Sequence, residues 1–106
     1  MDDKELRKSI LQQLNHILTE ALVDYNVRIY LFGSWARNEE KQSSDIDIAI
    51  ESLEEIPVES WIKLIDKVEE STIPYNVDVV NLKEASSSLI QNVHKEGILW
   101  KDFKNG

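Results

Sequence analysis

The sequence contains no cysteine. That absence excludes disulfide scaffolds, thiolate zinc sites and cysteine nucleophiles. No apolar run approaches the roughly 20 residues that cross a bilayer, and the acidic N-terminus lacks the basic-then-apolar layout of a secretory signal. We therefore expect a cytoplasmic protein without membrane association.

Positive charge is also scarce, with 12 Lys and Arg against 20 Asp and Glu and a formal net charge of -8. Non-specific binding to DNA or RNA relies on cations that neutralise phosphates, so we expect no direct nucleic-acid binding. The 106 residues, of which 42% are hydrophobic, suit a single domain over residues 1–106 with one modest core.

Three segments have the apolar spacing of three and four residues that is typical of an amphipathic helix. The first runs from Lys4 to Asp24. The second begins near Pro57, which suits the first turn of a helix, and we expect it to end before Pro74. Its predicted apolar face comprises Trp61, Leu64, Ile65 and Val68. The third runs from about Ser87 to Glu96, followed by Gly97 as a natural C-cap.

Strands are predicted between these helices. The segment from Val27 to Phe32 is rich in β-branched and aromatic residues and is too short for a buried helix, so we interpret it as a strand that ends at Gly33. A second strand follows from the alternation of Ile46, Ile48 and Ile50 with other residues. Asn76 to Leu82 is the third, and Ile98 to Trp100 forms a short edge strand. The pattern indicates an α/β layout with helices packed on a small sheet.

Three acids are candidate metal ligands. Asp45 and Asp47 alternate with the isoleucines, so both point to one face of the strand within about 7 Å of each other. Asp78 interrupts the apolar third strand. Clustered carboxylates repel one another without a cation, and an all-oxygen set suits Mg²⁺ or Mn²⁺, held singly or as two ions. The alternative is that the Asp-x-Asp pair is a solvated strand edge near a turn.

The dipeptide Gly33-Ser34 is a candidate anion site. Glycine at a strand end lets a ligand approach the backbone, and a serine hydroxyl with backbone N–H groups at the start of a helical turn suits a triphosphate. Arg37 lies one turn later and adds a charge-assisted fork for the same phosphates. The alternative is an ordinary tight turn with Ser34 as a helix N-cap.

The combination of Gly33-Ser34, ten intervening residues, Asp45-x-Asp47 and a later strand Asp78 resembles the nucleotidyltransferase superfamily that includes DNA polymerase β. Within it the chain is most similar to the minimal nucleotidyltransferases, the partners of HEPN-domain proteins in prokaryotic two-gene modules. The resemblance covers most of the chain. It implies the nucleotidyltransferase fold, an α/β fold of the α+β type in which a small mixed sheet of three to five strands is flanked by helices.

The resemblance also implies roles for the candidate residues. Asp45, Asp47 and Asp78 would be catalytic and hold the metal ions, most simply two Mg²⁺. Gly33 and Ser34 would seat the triphosphate of ATP, with Arg37 beside them. Asp78 would also help to deprotonate the acceptor hydroxyl.

One position departs from the pattern, because many relatives carry glycine where this chain has Asn38. Asparagine tolerates left-handed backbone geometry better than most residues.

The resemblance further implies a reaction and a partner. AMP would pass from ATP to a hydroxyl, such as a tyrosine, of a helical HEPN-type toxin encoded nearby, and this chain would be the antitoxin in a hetero-oligomer. The small size independently favours an acceptor site at an interface with another chain, and the acidic surface suits a basic partner. Two alternatives remain open: a non-catalytic module that neutralises its partner by binding, and the nucleotide-binding half of an aminoglycoside-type nucleotidyltransferase.

Five other residues were considered for a role. His16 and His94 lack a partner at a recognisable spacing, so we expect solvated or cap-adjacent side chains. Trp35 either stacks on a base or packs in the core. Trp100 and Phe103 are candidates for an exposed partner interface near the C-terminus.

Overall fold

The structure is a computed structural model that describes residues 3–104. Its elements in chain order are α1 (Asp3–Ala21), β1 (Val27–Phe32), α2 (Gly33–Ala36), β2 (Ile46–Ser52), α3 (Val58–Glu69), β3 (Val77–Asn81), a 3-10 turn (Leu82–Glu84), α4 (Ser87–Glu96) and β4 (Ile98–Lys101). The strands form one sheet in the order β3-β2-β1-β4. β1 pairs antiparallel with β2 and with β4, while β2 and β3 are parallel. The prediction of a small mixed sheet flanked by helices is confirmed.

The two faces of the sheet bury different helices. Alternate residues of β1 and β2 pack against α1 and α3 in the larger core, whose fully buried members include Leu14, Leu18, Ile29, Ile48 and Leu64. The opposite face carries a smaller cluster of Tyr30, Ala49, Leu82 and Val93, the last contributed by α4. Because side chains alternate along a strand, Asp47 lies on the face of the smaller cluster.

Some predicted boundaries differ from the structure. The first helix ends at Ala21, before the predicted Asp24, and a hydrogen-bonded turn follows in which the N–H of Tyr25 donates to the carbonyl of Leu22. The helix that starts after Pro57 ends at Glu69, five residues before Pro74.

The third strand is shorter than predicted. It spans Val77–Asn81, because the side chain of Asn81 accepts the N–H of Lys83 and turns the chain into the 3-10 turn at Leu82.

One core residue was predicted wrongly, because Ile65 of α3 is 41% exposed. Leu64 and Val68 face the sheet as expected, and Trp61 is partly buried beside them. None of the helices in residues 3–104 combines the length and apolar character that a bilayer-spanning helix needs.

Candidate functional site

Two of the predicted acids lie opposite each other on neighbouring strands. Asp47 of β2 is the register partner of Asp78 in the parallel strand β3. Adjacent strands are about 4.8 Å apart and paired side chains point to the same face, so the two carboxylates project together. Asp45 lies just before β2, two residues from Asp47, close enough that its charge raises the pKa of Asp47. The structure therefore brings the three acids to one end of the sheet.

The electrostatics of this group are unfavourable for a fully ionised cluster. Asp47 is half-buried, whereas Asp45 and Asp78 are exposed. Burial raises the pKa of Asp47, the negative charges of Asp78 and Asp45 raise it further, and the guanidinium of Arg37 opposes them. Within residues 3–104 no hydrogen-bond donor contacts any of these three carboxylates. The site thus concentrates negative charge that is opposed only by the nearby Arg37 within the described residues.

Gly33 connects the end of β1 to this group. Its φ of +75° lies in the left-handed region, which a residue with a Cβ atom adopts only at a cost. A Cβ atom at this position would overlap the carboxylate of Asp47, with the Asp47 Cγ at 3.2 Å. The register pairs Phe32 with Asp47, which brings the strand end and the acid side by side. Only glycine fits both the backbone conformation and the space.

Ser34 and Arg37 follow on the short helix α2. Ser34 is half-buried in its first turn. The exposed guanidinium of Arg37 pairs with Glu39 at 3.1 Å and Glu96 at 3.9 Å. Asn38 adopts a φ of 58°, the left-handed conformation that asparagine tolerates. The predicted anion-site residues are therefore next to the acids, and Arg37 is held by two other acids.

Trp35 follows the core-packing alternative, and Arg7, for which the sequence analysis found no signal, supports it from α1. Trp35 is 2% exposed, so it packs in the core rather than offering a surface for base stacking. Its indole N–H donates to the carbonyl of Ser44, 3.3 Å away, next to Asp45. Arg7 of α1 donates to the carbonyl of Trp35 and pairs with Glu40 at 2.8 Å. Because Arg7 and Trp35 are 28 residues apart in the sequence, no local pattern could indicate that they are in contact.

The remaining histidine and aromatic candidates, His16, His94, Trp100 and Phe103, make their contacts with other partners. His16 is exposed and pairs with Glu20 at 3.4 Å, as expected for a solvated side chain. His94 of α4 contacts Glu51 at 2.8 Å, so it has a partner that its spacing did not reveal. Trp100 is partly buried against the larger core.

Phe103 lies near the end of the described chain and is half-buried. The guanidinium carbon of Arg28 lies 4.4 Å from its ring centroid. Neither Trp100 nor Phe103 forms the freely exposed aromatic surface that was considered near the C-terminus.

The donor set fits a magnesium ion by its chemistry. In residues 3–104 no three His, Asp or Glu side chains are gathered closely enough to hold a metal ion by themselves. Magnesium usually takes one or two carboxylates and completes its octahedron with water and substrate phosphates. The opposed Asp47 and Asp78, with Asp45 beside them, offer this kind of open, all-oxygen site.

The sequence matches the family described as polymerase beta nucleotidyltransferase over residues 12–102. It is 34% identical over 91 residues to the protein adenylyltransferase MntA of Shewanella oneidensis, a match that covers 82% of this chain and 65% of that protein. The chain therefore spans slightly under two thirds of the length of this relative. It is also 36% identical over 93 residues to the protein adenylyltransferase MntA of Thermococcus cleftensis, covering 81% of this chain and 91% of that relative.

A solved structure shares the fold. It contains a tri-AMPylated HEPN toxin of Shewanella oneidensis in complex with an MNT antitoxin, with a TM-score of 0.66 and 26% identity. The match covers 91% of this chain and 72% of that one. The resemblance first indicated by the Gly-Ser and Asp-x-Asp pattern is confirmed, and this chain belongs to the polymerase beta nucleotidyltransferase family.

Proposed function

We propose that this chain is a Mg²⁺-dependent protein adenylyltransferase that moves AMP from ATP to a hydroxyl group, most simply a tyrosine, of a HEPN-type toxin in the cytoplasm. Its action would silence the toxin and make this chain the antitoxin of the pair. The observation that carries the proposal is the register of Asp47 with Asp78, beside a left-handed Gly33 that packs directly against Asp47.

Asp45, Asp47 and Asp78 would hold the metal ions. Bound magnesium would neutralise the phosphates and stabilise the charge that develops during displacement. The raised pKa of Asp47 is consistent with this assignment: burial raises it first, and the negative charges of Asp78 and Asp45 raise it further, a repulsion that a bound cation would relieve. Gly33 and Ser34 would receive the triphosphate, and Arg37 would exchange its pairing with Glu39 and Glu96 for the phosphates.

The proposed transfer step is a displacement at the α-phosphorus of ATP. The acceptor oxygen forms a bond to the α-phosphorus of ATP, and the bond from that phosphorus to the oxygen bridging to the β-phosphorus breaks. Pyrophosphate leaves with the electron pair of that bond. The acceptor proton passes to the carboxylate of Asp78, which is exposed and therefore able to return it to water. The chain contributes chiefly orientation and charge.

The choice of acceptor rests on the relatives. Both MntA proteins are named protein adenylyltransferases, and the related solved complex holds an AMPylated HEPN toxin. The net charge of -8 suits a partner with a basic surface.

The test is transfer of label from ATP carrying a labelled α-phosphate, in the presence of Mg²⁺, to the protein encoded beside this chain's gene. We expect labelling by the wild-type chain and none by the Asp45→Asn, Asp47→Asn double variant. Asp66→Asn is the matched control, because Asp66 is an exposed acid of α3 away from the site. Equal labelling by the double variant would exclude the metal mechanism.

The same variant separates catalysis from simple binding. If the chain neutralises its partner only by covering it, cells that express the double variant will remain protected from the partner. If AMP transfer is required, they will lose protection although the two proteins still co-purify.

A further inference from the structure

We propose that the outer edge of β3 is where the acceptor docks: an extended, basic segment of the partner protein pairs with β3 as a fifth strand and presents its hydroxyl group beside Asp78. This inference rests on the proposed nucleotidyl transfer and specifies how its protein substrate is held.

The first observation is that β3 is an open edge. It is the terminal strand of the sheet, and within residues 3–104 it pairs only with β2. None of its five residues is buried. By contrast, four of the five residues with which they pair in β2 are 0% exposed: Ile46, Ile48, Ala49 and Ile50. Val77 and Val79 are only partly buried against the larger core. An unpaired strand edge of this kind, with half-buried valines, is a ready template for another strand.

The second observation is which backbone groups remain available. The N–H of Ile46 donates to the carbonyl of Asn76 at 2.9 Å, and the register continues in parallel without a shift. In a parallel ladder the bonding residues alternate, so Asp78 also directs its backbone groups to β2. Val77 and Val79 direct theirs away from the sheet. The outer edge thus offers N–H and C=O groups at every second residue.

The third observation is the order of groups across the sheet. Gly33 and Ser34 follow β1, Asp47 lies on β2, and Asp78 lies on β3. In-line displacement requires the leaving pyrophosphate and the incoming oxygen to lie on opposite sides of the phosphorus. With the triphosphate on the β1 side, the acceptor approaches from the β3 side. A strand added there would project alternate side chains onto the face that carries Asp78.

The opposite edge of the sheet differs. β4 carries the cationic Lys101 in its strand, and its pairing with β1 is irregular at Ile29 and Tyr30. Charges and bulges are the devices that proteins use to blunt an exposed edge. β3 also carries one charged residue, Asp78, so charge alone does not distinguish the two edges, but its register with β2 is regular. The regular edge beside the acids is therefore the better template for another strand.

The chemistry of the occupant follows from its surroundings. A cleft of about 840 Å³ opens at the start of β3, and its lining includes Asp45, Glu69, Pro74, Tyr75 and Asn76. The cleft offers room for the side chains of an incoming segment, and the charged residues of its lining, Asp45 and Glu69, are both negative. The acceptor segment that pairs with β3 therefore carries lysine or arginine near its hydroxyl-bearing residue.

The test uses amide hydrogen exchange of this chain with and without the protein encoded beside its gene. We expect the outward amides of Val77 and Val79 to exchange at least about tenfold more slowly in the complex. A parallel measurement uses Val79→Pro, which removes an outward N–H but no bond to β2, since proline is tolerated at a strand edge that faces solvent. Val79→Thr is the matched control, because it keeps the N–H and the branched side chain.

We expect Val79→Pro to lower the rate of AMP labelling of the partner by about tenfold or more at limiting partner concentration, with binding of Mg²⁺ and ATP unchanged. Val79→Thr should label as the wild type does. Unprotected β3 amides in a complex that is labelled normally would overturn the docking site while leaving the proposed function intact. If the outward β3 amides are already protected in the isolated chain, and that chain is a dimer in solution, the edge is occupied by a second copy of this chain and the docking proposal is overturned. Absence of labelling by the wild-type chain would overturn the proposed function, and the docking inference with it.

Discussion

The indole N–H of Trp35 donates to the carbonyl of Ser44 across 3.3 Å, and this bond ties the helix after β1 to the residue that precedes Asp45. Because Trp35 is also a core residue, the spacing between the Gly-Ser turn and the acids is set by the packing of the sheet against α1. Arg7 supports the arrangement from α1 by donating to the carbonyl of Trp35 and pairing with Glu40.

We predict that Arg7→Gln weakens the site from a distance. Loss of the pair with Glu40 and of the donor to Trp35 should lower the free energy of unfolding by about 1–2 kcal/mol. It should also lower the maximal labelling rate, because the Gly-Ser turn loses its support. Denaturant unfolding and labelling kinetics measure the two effects.

The neighbouring exposed residue provides the control, and Lys8→Gln should change neither quantity. Arg7→Lys should recover only part of the loss, because an ammonium group lacks the fork that reaches two acceptors. Wild-type kinetics in Arg7→Gln would show that the contact is not needed to position the site.

We predict that Gly33→Ala abolishes function and costs stability. A methyl group there must displace the Asp47 carboxylate, and the backbone must hold a φ of +75° with a Cβ atom present. The left-handed conformation alone costs about 1–2 kcal/mol. Thermal unfolding and Mg²⁺-dependent binding of ATP test the two parts.

Asn38→Gly is the matched substitution, because Asn38 is the other left-handed position in residues 3–104 that affects this loop. Glycine accepts that conformation, so stability should stay within about 0.5 kcal/mol of the wild type. Full ATP binding by Gly33→Ala would contradict the close approach of Gly33 to Asp47.

We predict that Asp47→Asn stabilises the metal-free protein at neutral pH. The pKa of Asp47 is raised in the folded state by burial and by the neighbouring acids. The stability associated with the protonated Asp47 is therefore fully present below the unfolded pKa of this group. It is lost as the pH rises through the folded pKa, because ionisation then costs more in the folded state than in the unfolded one. The variant should gain roughly 0.5 kcal/mol near pH 7, as expected when like charges on paired strands are relieved. The two proteins should converge in acid.

Magnesium should reverse this order. Titration of Mg²⁺ at neutral pH should raise the melting temperature of the wild type, because an ion that binds the folded state stabilises it. Asp47→Asn should respond much less, and Asp66→Asn should behave as the wild type. A pH-independent difference between Asp47→Asn and the wild type would contradict the electrostatic account.

Much of the secondary structure followed from local pattern. The strand from Val27 to Phe32, the start of β2 at Ile46 and the helix Ser87–Glu96 lie where the sequence predicted them, because each has a clear apolar period with a marked boundary. Gly97 follows that helix as expected, but with an extended backbone, and a Cβ atom there would lie 2.5 Å from the carbonyl of Val93. Glycine is needed at this position because a side chain would not fit there, and not because the backbone is left-handed.

The remaining features depend on tertiary contacts. Ile65 has the spacing of a core residue, but the buried face of α3 is centred on Leu64 and Val68, and Ile65 beside them is 41% exposed. The sequence indicated that Asp78 belonged with Asp45 and Asp47, but the direct opposition of Asp78 to Asp47 depends on the parallel register of β2 and β3. The contribution of Arg7 had no local signal, since its partners lie on another element.

The buried Trp35 also provides an intrinsic fluorescence signal close to the candidate site. Its ring sits in the core, in edge contact with Tyr75 at 5.0 Å between centroids, and its N–H reaches the segment that carries the acids. Indole emission responds to the local electric field, so occupancy by cations or nucleotide should be readable as intrinsic fluorescence. With Trp61 and Trp100 replaced by phenylalanine, a single emitter would report on this region without any attached dye.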